Sequence, residues 1–168
     1  FGTDELGRDI FSRVIDGTKI SLFVGFAVVV FSAGIGVIIG AFAGYKGGAV
    51  DTVIMRFMDI MLSTPSILLA ITLMAALGKG MDKAIIAIGV VSIPEYARIT
   101  RGSVLSAKES DYAQAAKVVG NKDKRIIFKH ILPNIISPII VRATLGVSSA
   151  IMDTAALGFL GLGVQPPM

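Results

Sequence analysis

Residues 20–44 form a run of 25 positions without a charge. A helix needs about 20 apolar residues to cross a bilayer core of about 30 Å, so this run predicts a membrane span. Three further apolar stretches follow. Residues 51–77 read as a second span broken near its middle by Pro65, and residues 84–100 as a third, loosened at Pro94 and Glu95. Residues 131–157 read as a fourth, with Pro133, Pro138, Arg142 and Asp153 inside it. Short Gly-containing turns at 45–50 and 78–83 join the first three. Before them, Leu6, Ile10 and Val14 recur at helical spacing among charges. Residues 1–19 are therefore expected to form an amphipathic helix on the membrane surface, with a solvated linker as the alternative. The pattern defines an all-α, polytopic membrane protein of about four spans.

Within the first span, Gly36, Gly40 and Gly44 stand four apart. Small residues at that spacing let helix backbones approach closely in lipid. Gly34-x-Gly36-x-x-x-Gly40 has the wrong last spacing for a dinucleotide-binding loop and follows no strand.

Composition sharpens this picture. Hydrophobic residues make up 54% of the 168 and charged residues 17%, against about 25% charged in an average soluble domain. Cysteine is absent, so no disulfide framework exists. The net charge is +4, and 8 of the 16 Lys and Arg fall between Arg98 and Lys129. In a membrane protein such a bias marks the cytoplasmic side rather than a nucleic-acid surface. Residues 102–130 are then a cytoplasmic loop. Counting back over three spans puts residues 1–19 outside the cytoplasm, where 3 Lys/Arg face 4 acids. The chain opens at Phe1 with no signal peptide and closes at Pro166-Pro167-Met168, and it reads as a piece of a longer one.

The loop between the third and fourth spans carries the most chemistry. Ser106-Ala107-Lys108-Glu109 fits a capping box, so a helix is expected to start there, with Asp111 as a first-turn acid that suits the helix dipole. Tyr112, Ala115, Ala116 and Val119 fall at i, i+3, i+4 and i+7 and predict one apolar face of small residues. Gly120 is placed as a left-handed C′ residue would be. A second, basic helix follows from Asp123 and closes at Pro133. A helix–Gly–helix element with a small-residue face suits docking against another protein. His130 is the only histidine; alone it makes a poor metal site and is expected to pack within the loop.

Charges inside spans are expensive, about 2.5–3.5 kcal/mol each at a helix centre. Arg56 and Asp59, three apart, are expected to pair on one face near the cytoplasmic end of their span. Arg142 and Asp153 lie deeper and are as much candidates to face a path through the helices as to be buried structural charges.

Several separated motifs resemble one family. Tyr112-Ala113-Gln114-Ala115-Ala116-Lys117-Val118-Val119-Gly120, then Ile127-Phe128-Lys129-His130-Ile131-Leu132-Pro133-Asn134, resembles the Glu-Ala-Ala loop of importer-type ABC permeases. The opening Phe1-Gly2-Thr3-Asp4-Glu5-Leu6-Gly7-Arg8-Asp9-Ile10-Phe11-Ser12-Arg13 resembles the block before the second membrane helix of the dipeptide, oligopeptide and nickel permease branch. Met58-Asp59-Ile60, Pro65-Ser66, Tyr96-Ala97-Arg98 and the stretch from Gly158 to Pro167 match the same branch. Gln114 stands where that family usually has its name-giving Glu.

The resemblance implies a six-helix permease fold, of which four spans are present. It implies a multi-pass subunit of a prokaryotic inner membrane, lining the path for peptides, nickel or similar solutes. The implied partners are a second permease subunit, cytoplasmic ATP-binding subunits and an extracytoplasmic solute-binding protein. Asp111, Tyr112, Gln114, Ala115, Ala116, Gly120, His130 and Pro133 then belong to the loop that docks on the ATPase.

Other classes fit less well. No Gly-x-x-x-x-Gly-Lys-Ser/Thr loop occurs, so ATP hydrolysis is expected in a partner, and no cofactor is expected in this chain. An intramembrane aspartyl dyad of Asp59 and Asp153 would need catalytic framing that neither has, and zinc-helix and nucleophile-elbow motifs are missing. A channel or secondary transporter is the alternative, though neither needs an Ala-Ala-Gly docking element.

Overall fold

The protein is described here by a computed structural model covering residues 1–4 and 7–162. Glu5, Leu6 and the end of the tail motif, Gly163 to Pro167, lie outside the described residues.

The first helix, α1, runs unbroken over Ile10–Lys46. It starts where the Asp9 carboxylate accepts from the Ser12 hydroxyl at 2.6 Å and the Ser12 N–H at 3.0 Å, an N-cap. The hydroxyl bond, then the backbone one, holds the exposed Asp9 carboxyl below its usual range. The separate surface helix expected over residues 1–19 is therefore corrected. Nothing between Ile10 and the first apolar run breaks helical geometry, since Gly17 alone weakens a helix without ending it. The polar turns continue directly into the span, and before it Thr3 and Asp9 form an isolated bridge.

After Gly47, α2 (Gly48–Ser63) and α3 (Ser66–Leu77) meet at Pro65 with a 95° bend. Then α4 (Met81–Ala107) continues unbroken past Pro94, so the interruption expected at Pro94 and Glu95 does not occur. The short α5 (Asp111–Val118) follows. The return begins with α6 (Asp123–Arg125), a π turn (Ile126–Ile131) and a 3-10 turn (Leu132–Ile135). Pro133, which has no N–H to give, sits in that tighter turn. The long α7 (Ile136–Phe159) closes the fold.

Three apolar clusters are threaded in order by α1. Val24 and Val28 join Ala70, Met74, Ala84, Ala87 and Leu157 at one end. Phe31, Ile35 and Ile39 surround Met58, Ile93 and Ala97 in the middle. Ala41 joins Val104, Ala113, Ile126 and Ile131 at the other end. The bent pair belongs to this series, with Met58 of α2 at the middle and Ala70 and Met74 of α3 at the far end. It therefore traverses the same depth as α1, as a broken span. By length and apolarity α1 and the helical stretch Asp123–Phe159 qualify as membrane spans, and the bent pair is a third. The fourth helix, α4, is shorter at 27 residues and carries Glu95, Arg98 and Arg101 in its second half, so it does not qualify by that measure. Yet Ala84, Ile93 and Val104 place it along α1 through all three clusters. Both described chain ends lie at one end of the bundle, where Arg8, Arg13 and Asp16 face Thr154, Ala155 and Gly158 across a cavity.

The glycine stripe works as the spacing predicts. A Cβ on Gly36 would stand 2.6 Å from Tyr96 Cβ and 2.8 Å from the Ile93 carbonyl, and one on Gly44 2.9 Å from the Arg101 carbonyl. One on Gly40 would collide with the backbone of Ala97. Any side chain there would push α1 and α4 apart.

Candidate functional site

The connecting helix α5 is held at the end of the bundle opposite the termini. Its start lies four residues later than the capping-box pattern predicts. The span helix α4 carries on through Ser106, because nothing at Ser106 or Ala107 stops it, and Ser110 in extended geometry becomes the N-cap. Asp111 remains a first-turn acid. Gly120 does take the left-handed conformation, with φ +83°. Its N–H donates to the Lys117 carbonyl at 3.0 Å, and the Asn121 N–H donates to the Ala116 carbonyl at 3.2 Å. This pair of bonds is a Schellman C-cap. The Asn121 side-chain amide donates to the same Ala116 carbonyl at 3.0 Å.

The predicted apolar face is split. Ala113 and Ala116 turn inward and pack on Val104, Ile126 and Ile131. Tyr112, Gln114, Ala115, Lys117, Val118 and Val119 are exposed. Period 3.6 does place Ala116 beside Tyr112 and Val119, but the chain buries the Ala113/Ala116 side against its own return segment. What remains outside is an apolar tip, Val118 at 87% and Val119 at 82% exposure. Two branched apolar side chains at the end of a polar helix are thus left almost uncovered by the described residues, as apolar surface that meets a partner would be.

The element is fastened to the bundle by an ion pair and two hydrogen bonds. Lys46 Nζ lies 2.9 Å from Asp123, and the Tyr45 hydroxyl donates to the same carboxylate at 3.2 Å. Lys108 Nζ donates to the Gly44 carbonyl at 3.3 Å. His130 is half-buried, and its carbonyl accepts from the Asn134 amide at 2.6 Å. Pro133 is exposed.

The three charges in the second half of α4, Glu95, Arg98 and Arg101, each meet an opposite charge on another helix. Arg101 holds Asp51 of α2 in a two-pronged pair at 2.6 Å for both bonds. Arg98 meets Asp59 at 2.6 Å. Glu95 pairs with Arg142 of α7, whose guanidinium also lies 5.6 Å from the centre of the Tyr96 ring, within cation–π range. The expected pairing of Arg56 with Asp59 is corrected: Asp59 reaches across to α4, and Arg56 is exposed with no ion pair among the described residues. On one helix a three-residue offset gives only a solvated pair, while Arg98 offers a bond between helices. Asp153 is half-buried in α7, also without an ion pair among the described residues. Sequence reasoning missed the Asp51–Arg101 pair and the partner of Arg142. The cost of a charge within a span signals that a neutralising neighbour is favoured, but not which residue supplies it.

Four antiparallel passes, closed by interhelical glycine contacts and ion pairs and joined by a helix-bearing loop, make this an integral, multi-pass membrane protein. The chain belongs to the family described as binding-protein-dependent transport system inner membrane component, whose model matches residues 36–168. It is 52% identical over 168 residues to the dipeptide transport system permease protein DppC of Alkalihalophilus pseudofirmus, covering 100% of this chain and 55% of that protein. It is 50% identical over 166 residues to the di/tripeptide transport system permease protein DppC of Pseudomonas aeruginosa, covering 99% and 55%. It is 46% identical over 168 residues to the oligopeptide transport system permease protein OppC of Bacillus subtilis, covering 100% and 55%. The chain thus spans about half the length of the curated relatives it matches.

Proposed function

We propose that this chain forms part of the translocation-pathway subunit of an ATP-driven peptide importer, with α5 as the surface that receives the ATPase. The observation that carries the reading is the exposed apolar tip Val118–Val119 on a helix whose other side is clamped to the bundle. Such a tip transmits force in both directions: a partner that grips it moves α4 and α7 through Ala113, Ala116 and Ile126. The basic bias of the loop supports a cytoplasmic position for it, which is where ATP-binding subunits would stand. The relatives named for dipeptides, di/tripeptides and oligopeptides favour peptides as the solute. A second permease subunit and an extracytoplasmic binding protein complete the assembly, and ATP hydrolysis falls to the partner ATP-binding subunits.

The test uses the full-length subunit with its partner permease, ATPases and binding protein in proteoliposomes. Uptake of a labelled dipeptide should require ATP and the ATPase subunits. Uptake down a gradient without them would mean a channel or secondary transporter and would overturn the reading.

A further inference from the structure

A second feature lies beside the clamped loop. Between the last turns of α1 and the start of the return segment is a groove of about 620 Å³, within the usual size range of ligand sites. Its walls are Ile38 and Phe42 of α1 and Phe128 of the π turn, exposed by 57%, 47% and 57%. Three lysines, Lys46, Lys122 and Lys124, and one acid, Asp123, also line it. Lys46 is engaged by Asp123, but Lys122 and Lys124 are exposed and have no ion pair among the described residues.

The two halves of the groove want different things. The walls continue the outward face of a helix that crosses the bilayer, so hydrocarbon is their natural neighbour. The charged part lies at the last turn of that helix, where the bilayer gives way to water, and offers two uncompensated ammonium groups. A molecule that satisfies both has an apolar chain joined to a negatively charged phosphate. We propose that this groove binds an anionic phospholipid, with an acyl chain along Ile38, Phe42 and Phe128 and the phosphate at Lys122 and Lys124. Basic clusters next to membrane helices draw anionic headgroups in this way. The bound lipid would brace the joint between α1 and the segment that carries α5. The site does not depend on which solute is moved.

The experiment uses the full-length subunit in its assembled complex, delipidated in neutral detergent and examined by native mass spectrometry. The probes are phosphatidylglycerol and phosphatidylcholine with the same acyl chains, and soluble glycerol 1-phosphate. Preferential retention of phosphatidylglycerol is expected, with no retention of glycerol 1-phosphate, because the phosphate alone leaves the apolar walls unfilled. Lys122→Gln with Lys124→Gln should weaken that retention by about 25-fold, about fivefold per lysine, and leave phosphatidylcholine unchanged. Lys83→Gln, at the other end of α4, should change nothing. Equal retention of the two lipids, or an unaltered preference in the double variant, overturns the proposal. So does efficient crosslinking of a cysteine at position 128 to another protein segment, since a helix would then fill the groove. None of these readouts involves transport, so failure here leaves the importer reading untouched.

Discussion

Asp51 in the first turn of α2 and Arg101 in α4 meet through two bonds of 2.6 Å each, with Asp51 only 8% exposed. The pair joins two helices whose intervening chain bends by 95° at Pro65. It fixes the start of the broken span against the unbroken α4, beside the loop that carries α5. Lys108, which binds the Gly44 carbonyl, adds positive charge near the same carboxylate.

Removing one partner should therefore destabilise the bundle. Breaking a fully buried pair costs about 3–5 kcal/mol. The Arg101 side chain is 34% exposed, and solvent screening brings the expected cost of Asp51→Asn or Arg101→Gln to roughly 1–3 kcal/mol. Thermal unfolding of the assembled complex in detergent should show a lowered midpoint for each. A double variant, Asp51→Asn with Arg101→Gln, should lose less than the sum of the singles. Strict additivity would mean that the two charges do not act on each other.

The contact of Gly40 with the Ala97 backbone predicts a position-specific sensitivity. Gly40→Val adds atoms where the α4 backbone already stands and should cost at least about 1–3 kcal/mol. Gly34 lies on the same helix with nothing within 4 Å of where a Cβ would be, so Gly34→Ala should be neutral or slightly stabilising. Yield and melting temperature of the two variants measure the difference. Equal tolerance would place the α1–α4 contact elsewhere.

These two contacts show what the sequence could and could not disclose. The Gly36, Gly40, Gly44 stripe was readable because it is periodic along one helix, and the same holds for Gly120, whose role follows from local chain geometry. The break at Pro65 was readable for the same reason. The partners of Asp59 and Arg142 were not, because they lie 39 residues away for Asp59 and on another helix for Arg142, where only packing decides which charges meet. The face of α5 was half legible. Helical spacing fixed which residues share a side, but which side is buried depends on where Ile126 and Ile131 return.

That distinction separates two kinds of variant on α5. Ala116 is 7% exposed and packs inside the chain, so Ala116→Trp should overpack the cluster and lower stability of the subunit itself. Val119→Asp changes an exposed side chain and should leave stability within about 0.5 kcal/mol. It should nonetheless weaken ATPase association, or uncouple hydrolysis from uptake, by tenfold or more, since a charge would replace an apolar contact. Co-purification of the ATPase and the ratio of ATP hydrolysed to peptide taken up read this out. If Val119→Asp assembles and transports like the parent, the apolar tip is not the docking point.

The pair of Glu95 and Arg142 sets the last expectation. It links α4 to α7, with both side chains part-exposed, and Arg142 also rests over the ring of Tyr96, whose side chain is buried. An isolated charge at a helix centre costs about 2.5–3.5 kcal/mol, so Glu95→Gln and Arg142→Gln should each destabilise the subunit by leaving the other charge alone. Neutralising both together removes the penalty, and the double variant should recover most of the melting temperature. Arg142→Lys keeps the charge but gives up the planar group that suits the ring, so it should fall between parent and Arg142→Gln. Uptake then separates two roles. Recovery of both stability and peptide uptake in the double variant means that the pair serves packing alone. Recovered stability with uptake still reduced by tenfold or more means that the charges face the solute path, where both signs would suit a peptide with a charged amine and a charged carboxylate.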